Sequence, residues 1–262
     1  MASQSLSQRA RFWGVSTLLF TASAVLTIVW CASMSAMGDM TMPGGWTMSM
    51  AWMRMPGQTW LTAAASFLGM WILMMVAMML PSLVSVLWRY RDAVPKSHET
   101  HRGRLTALAG VSYFFIWAVV GVLLFPVGVT LAALLMQQPS FARAVPIAIS
   151  VIVFVAGTLQ FTAWKAHCLA CCRESAPGRG REPAAGAGAA WRYGIRLGLD
   201  CVQCCANLMV ILLVIGVMDL RAMAVVGSAI TVERLAPAGD RVARAVGVVI
   251  VAAAVILIAR AA

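Results

Sequence analysis

From Leu105 to Met136 the chain carries no charged side chain. A run of that kind exceeds the roughly 20 apolar residues that carry a helix across a bilayer. Inside a bilayer the backbone must satisfy its own hydrogen bonds, which an α-helix does. Similar runs recur along the sequence. The expected spans are Phe12 to Cys31, Trp60 to Trp88, Leu105 to Pro126 (continuing tilted to Met136), Ala144 to Trp164, Leu197 to Met218, Arg221 to Val232 and Ala245 to Ala259. The sixth is shorter than the roughly 17 residues usually needed, so the count is six or seven. Only 11% of residues are charged and mean hydropathy is +0.86, against about 25% charged in a soluble domain. The expected fold is an all-α, polytopic transmembrane bundle forming a single domain over residues 1–262.

The net charge of +11 does not mark a nucleic-acid binder. The basic residues sit in the gaps between apolar runs, and no aromatic stacking motif accompanies them. They do set orientation. With the N-terminus inside, sixteen of the twenty Lys and Arg fall in inner segments. A Met-rich loop, residues 33–59, then lies outside, and a basic, flexible loop, residues 173–196, lies in the cytoplasm. The first run is too long for the core of a signal peptide and reads as an uncleaved span, with cleavage near Ser35-Ala36 as the alternative.

Six of the seven cysteines form two copies of one pattern: Cys168-Leu-Ala-Cys171-Cys172 and Cys201-Val-Gln-Cys204-Cys205. Positions i, i+3 and i+4 share a helix face, so each copy gathers three thiols, and His167 adds an imidazole. Both copies map to the cytoplasmic ends of consecutive antiparallel spans, where the thiols can meet. A reducing cytoplasm disfavours a structural disulfide, and soft thiolates suit Cu(I), zinc or iron–sulfur clusters. Lys165 and Arg173 flank the first copy and are expected to lower thiol pKa. Free cysteine is also an ordinary small apolar residue at a helix end, but two matching copies at one membrane face favour a metal. Asp200, beside Cys201, reads as a helix N-cap or a support for a bound metal.

The eighteen methionines offer thioethers, which bind soft cations without losing a proton. The outer loop pairs Met48 with Met50 and Met53 with Met55. In the second span Met70, Met74 and Met78 form a stripe that Met75 and Met79 widen. Such a stripe moves a soft cation without a charged residue in the bilayer, or it fills gaps between helices. His98 and His101 read as solvated, and Asp219 and Glu233 as interfacial charges. No acid reads as buried within a span, and no nucleotide loop or Ser/His/Asp arrangement points to a catalytic residue.

Three motifs together resemble the bacterial family of predicted metal-binding integral membrane proteins known as domain of unknown function 2182. W-x2-M-x2-AMM-x-PS is matched by Trp71, Met74, Ala77, Met78, Met79, Pro81 and Ser82. K-x2-CL-x2-CR is matched by Lys165, Cys168, Leu169, Cys171 and, one place late, Arg173. G-x3-G-x2-C-x-GCCW-x-LM is matched by Gly194, Gly198, Cys201, Cys204, Cys205, Leu208 and Met209. Gln203 and Ala206 depart from it. The resemblance covers about residues 60–260 and implies a metal-binding protein of a bacterial inner membrane.

The expectation is therefore a soft-metal protein, with copper(I) the leading ion and zinc or no metal the alternatives. Its role is uptake or transfer, from the outer Met loop through Met74 and Met78 to the paired CxxCC groups. Its partners are the lipid bilayer, the metal ion and a cytoplasmic metallochaperone, with no nucleic acid. The rival readings are a membrane thiol–disulfide oxidoreductase and an assembly partner of a membrane metalloenzyme.

Overall fold

A computed structural model describes residues 2–35, 38, 40–43, 45–49, 52–54, 57–94, 99–174 and 186–261. Its helices are α1 (Ala2–Ser35), α2 (Trp60–Ala93), α3 (Glu99–Gln137), α4 (Pro139–Leu159), α5 (Ala163–Glu174), α6 (Ala187–Ile215), α7 (Leu220–Leu235) and α8 (Gly239–Ala261). A two-stranded hairpin, β1 (Met40–Thr41) and β2 (Thr47–Met48), lies between α1 and α2. Among the described residues, six helices are long and apolar enough to cross a membrane: α1, α2, α3, α4, α6 and α8. Their outward faces carry large apolar side chains such as Leu18, Leu123, Val248 and Val249, as lipid contact requires.

α6 packs most extensively on α3, and glycines permit it. A Cβ on Gly194 would stand 2.2 Å from the Ala109 carbonyl oxygen and 1.9 Å from Ser112 Oγ. Small residues at this spacing let helix backbones approach closely in a membrane. The pairing continues one turn on, where Gly198 faces Tyr113 and Ile116, so the two helices run parallel. α2 crosses α3 antiparallel. Leu87 lies against Gly110, and Trp71 lies against Gly121 while its indole N–H donates to the Trp117 carbonyl at 2.8 Å. α7 follows α2, with Met78 beside Gly227 and Ser82 beside Arg234.

α3 has 39 residues and is about 58 Å long at 1.5 Å per residue, well beyond a hydrocarbon core of about 30 Å. Its last turns carry the hairpin. Trp52 lies so close to Gly128 that a Cβ there would stand 2.1 Å from the ring. The Trp46 indole donates to the Ala142 carbonyl at 2.8 Å. Met42 and Met48 are buried between Ala132 and Ala142, with Met53 and both tryptophans packed against them. Among the described residues of the Met-rich segment, Met42 and Met48 are thus packed as a cap rather than exposed, while Met40 is exposed, and Met48 serves as core. Met50 and Met55 lie outside the described residues.

Two boundaries differ from the sequence reading. The fourth span stops at Leu159, and the chain turns through Gln160–Thr162 before α5 begins; Thr162 Oγ1 accepts from the Lys165 backbone N–H at 3.3 Å. α6 begins at Ala187, so the second Cys group lies mid-helix rather than at its opening. Residues 187–196 of the expected flexible loop are helical, and 175–185 lie outside the described residues. Asp200 is inside α6 and cannot be its N-cap. Asp219 is an N-cap, of α7, accepting from the Arg221 and Ala222 backbone N–H groups at 2.8 and 3.0 Å.

Candidate metal centre

The short helix α5 lies antiparallel against α6. Lys165 Nζ donates to the Cys204 carbonyl at 2.7 Å, and Cys172 Sγ, two turns on, donates to the Asp200 carbonyl at 3.2 Å. This register brings five of the six paired thiols into the interior. Cys168, Cys172, Cys201, Cys204 and Cys205 are all buried. Cys171 is only partly buried and His167 is exposed; they face each other at 3.5 Å on the outer side of α5. Spacing explains the split. Positions 167 and 171 share one helix stripe, while 165, 168, 169 and 172 share another. His167 is therefore not part of the buried set.

The buried sulfurs touch in sequence. Met79 Sδ lies 3.9 Å from Cys201 Sγ, and Cys201 Sγ lies 3.8 Å from Cys205 Sγ. Cys204, also buried, lies next to Cys205 in the chain and beside Cys172, whose thiol it influences. The result is a line running from α2 through α6 to α5. Among the described residues no three His, Cys, Asp or Glu side chains are grouped to hold a metal ion as a cage. A line of pairs suits an ion content with two thiolates and able to step between neighbours.

One sulfur has a fixed positive partner. Arg234 Nη1 donates to Cys201 Sγ at 3.1 Å, to Ser82 Oγ at 3.0 Å and to Tyr113 Oη at 3.5 Å. The Tyr113 hydroxyl also donates to Cys201 Sγ at 2.9 Å. Arg234 is 9% exposed. A second charge group lies at the α5–α6–α7 junction. Lys165 Nζ pairs with Glu233 Oε2 at 2.8 Å, and Glu233 Oε1 accepts from Gln160 Nε2 at 2.8 Å. Lys165 Nζ also reaches Asn207 Oδ1 at 3.4 Å. Glu233 is buried at 1% exposure and is not the interfacial charge its sequence position suggests.

Lys165 does not activate the first Cys group. Burial pushes the Cys168 thiol above its ordinary value, with Cys204 and Cys171 adding to the rise and Lys165 only partly opposing it. The hydrogen bond to Cys204 pushes the Cys172 thiol up, with burial adding. At Cys168, burial outweighs the Lys165 charge, which is itself paired with Glu233. The Arg173 side chain lies outside the described residues.

The methionine stripe divides by face. Met79 points to Cys201, whereas Met74 and Met78 line an apolar groove between α1, α2 and α7 with Met223. At the other end of α7, Cys31 Sγ lies 3.9 Å from Met218 Sδ. Tyr113 and Arg234 are not singled out by any motif, and Met79 and Ser82 enter only through the methionine stripe and the second-span motif. The rule that a buried charge in an apolar helix needs a partner could have paired Lys165 with Glu233.

Residues 68–257 match the family described as PpoB2, copper chaperone. The match runs from the third turn of α2 nearly to the end of α8. It includes the whole sulfur line and leaves out α1 and the Met-rich cap. No curated protein and no solved structure matches the chain.

Proposed function

Since this chain belongs to the PpoB2 copper-chaperone family and handles copper, we propose that its cargo is Cu(I), held inside the membrane by pairs of buried thiolates. Cys201 and Cys205 hold the ion, and Cys204 and Cys172 pass it along. Met79 is a neutral sulfur at the far end of the line. The observation that carries this reading is Arg234 at 3.1 Å from Cys201. Two thiolates and one Cu(I) sum to a single negative charge, and Arg234 brings the site to neutrality. Lys165 contributes nothing to the sum, because Glu233 already balances it. A divalent ion on the same pair would leave an uncompensated positive charge in a low-dielectric interior, where unpaired charge is costly.

The Lys and Arg bias supports an N-terminus on the cytoplasmic side of a bacterial inner membrane. In that orientation Cys172 faces the cytoplasm, and Cys31 with Met218 lies toward the outside. Met223, Met78 and Met74 lie between them along the apolar groove, which supports transfer of a soft monovalent ion across the membrane. The packed cap weakens the case for Met48 and Met53 as an outer capture loop, since Met48 is committed to core packing. Delivery to a copper-requiring recipient fits a chaperone better than net uptake alone.

The test is X-ray absorption at the copper edge of the loaded protein. Two sulfur neighbours and no nitrogen neighbour are expected. A copper centre ligated by imidazole nitrogen would move the site to His167 and overturn the assignment.

A further inference from the structure

The sulfur line ends at an opening. Cys172 lines a cavity of about 240 Å³ with Ser82, Ser85 and Arg89 of α2 and Arg234 of α7, and the turn Leu235–Pro237 closes one side. Among the described residues that line it are two guanidinium groups, two hydroxyls, one thiol and no carboxylate. Guanidinium groups take carboxylates through paired charge-assisted hydrogen bonds, and the thiol takes a soft metal. The groove that Met74 and Met78 line is apolar and offers no such chemistry.

We propose that this cavity docks a small thiol bearing carboxylates, which delivers Cu(I) to Cys172 or collects it there. The carboxylates sit against Arg89, and the carrier sulfur lies beside Cys172. In delivery, a bond forms between Cys172 Sγ and copper while the bond from copper to the carrier sulfur breaks. The proton leaving Cys172 goes to the carrier thiolate. Copper stays Cu(I), no electron moves, and collection is the same step reversed. The cavity is below the usual range of about 300–1,000 Å³ for drug-sized ligands, so it suits a peptide-sized thiol inserted in part and excludes a folded domain. The exchange step rests on the copper reading above; the docking does not.

The experiment titrates S-methylglutathione, which has the carboxylates and no free thiol, into metal-free full-length protein in detergent and follows the heat. Saturable binding is expected. The diethyl ester should not bind, and Arg89→Gln should weaken binding by at least about tenfold, the worth of a charge-assisted contact. Arg89→Gln should leave the bound copper per chain unchanged, because among the described residues no hydrogen bond joins Arg89 to the sulfur line. In the loaded protein, glutathione should remove copper faster than its diethyl ester. No binding, equal binding of the ester, or full binding to Arg89→Gln overturns the docking site. Docking in a protein that takes up no copper would leave the cavity assigned and remove the copper reading instead.

Discussion

Lys165 Nζ and Glu233 Oε2 meet at 2.8 Å, with side chains 1% and 2% exposed. Thirteen residues of α6 lie between Ala187, its first residue, and Cys201, yet it is this pair, on α5 and α7, that ties the two thiol groups together. Lys165 also holds the Cys204 carbonyl, so one ammonium group ties α5, α6 and α7 together.

Removing one partner of such a pair strands a buried charge. Lys165→Met alone or Glu233→Leu alone should destabilise the protein by about 3–5 kcal/mol, and the double variant should recover most of the loss. Thermal unfolding in detergent measures this. A double variant no more stable than the singles would show that the pair does not act as a unit.

Helix contact sets the position of Cys201. Gly194→Ala places a methyl group where the Ala109 carbonyl and Ser112 hydroxyl already stand, so α6 must shift away from α3. Both stability and copper binding should fall. Gly188→Ala meets nothing within 4 Å and should be neutral or stabilising by up to about 1 kcal/mol, from helix propensity. Equal behaviour of the two variants in thermal unfolding would contradict the packing account.

Copper binding should strengthen with pH. The Cys172 thiol is held above its ordinary value, so it carries a proton at neutral pH and copper passed to it must displace that proton. Across neutral pH each displaced proton should raise the apparent affinity by up to about tenfold per pH unit. Chelator competition at several pH values reads the slope, and Cys172→Ser should reduce it. A flat profile would mean that copper meets sulfur already deprotonated.

The methionines should separate into two classes. Met42→Leu and Met48→Leu conserve volume within the cap, should cost less than about 1.5 kcal/mol, and should leave bound copper unchanged. Met79→Leu should also preserve the fold, but should change the rate at which copper leaves Cys201. An unchanged rate would reduce Met79 to a packing residue.

Much of the scaffold is legible in the sequence because apolar runs and their lengths determine spans. The facing of the two CxxCC groups is legible for the same reason, through helical spacing and antiparallel order. What is not legible comes from partners distant in the chain. Arg234 meets Ser82 and Tyr113 across 152 and 121 residues, and no local pattern announces that. Glu233 reads as a boundary charge because it ends a short helix, although Lys165 buries it. The start of α6 hides in a Gly- and Ala-rich stretch that reads as linker, yet alanine is the strongest helix former. The Met-rich segment reads as exposed because its glycines and prolines break helices; α3 extends far enough to give it a surface to fold on.

The most direct measurement is the metal content of the purified, Cu(I)-loaded protein, beside that of Cys201→Ser/Cys205→Ser shown by gel filtration to remain folded. The account predicts bound copper and no zinc in the wild type, and loss of that copper in the double variant. Zinc in place of copper, or a double variant that keeps its full copper, would contradict it.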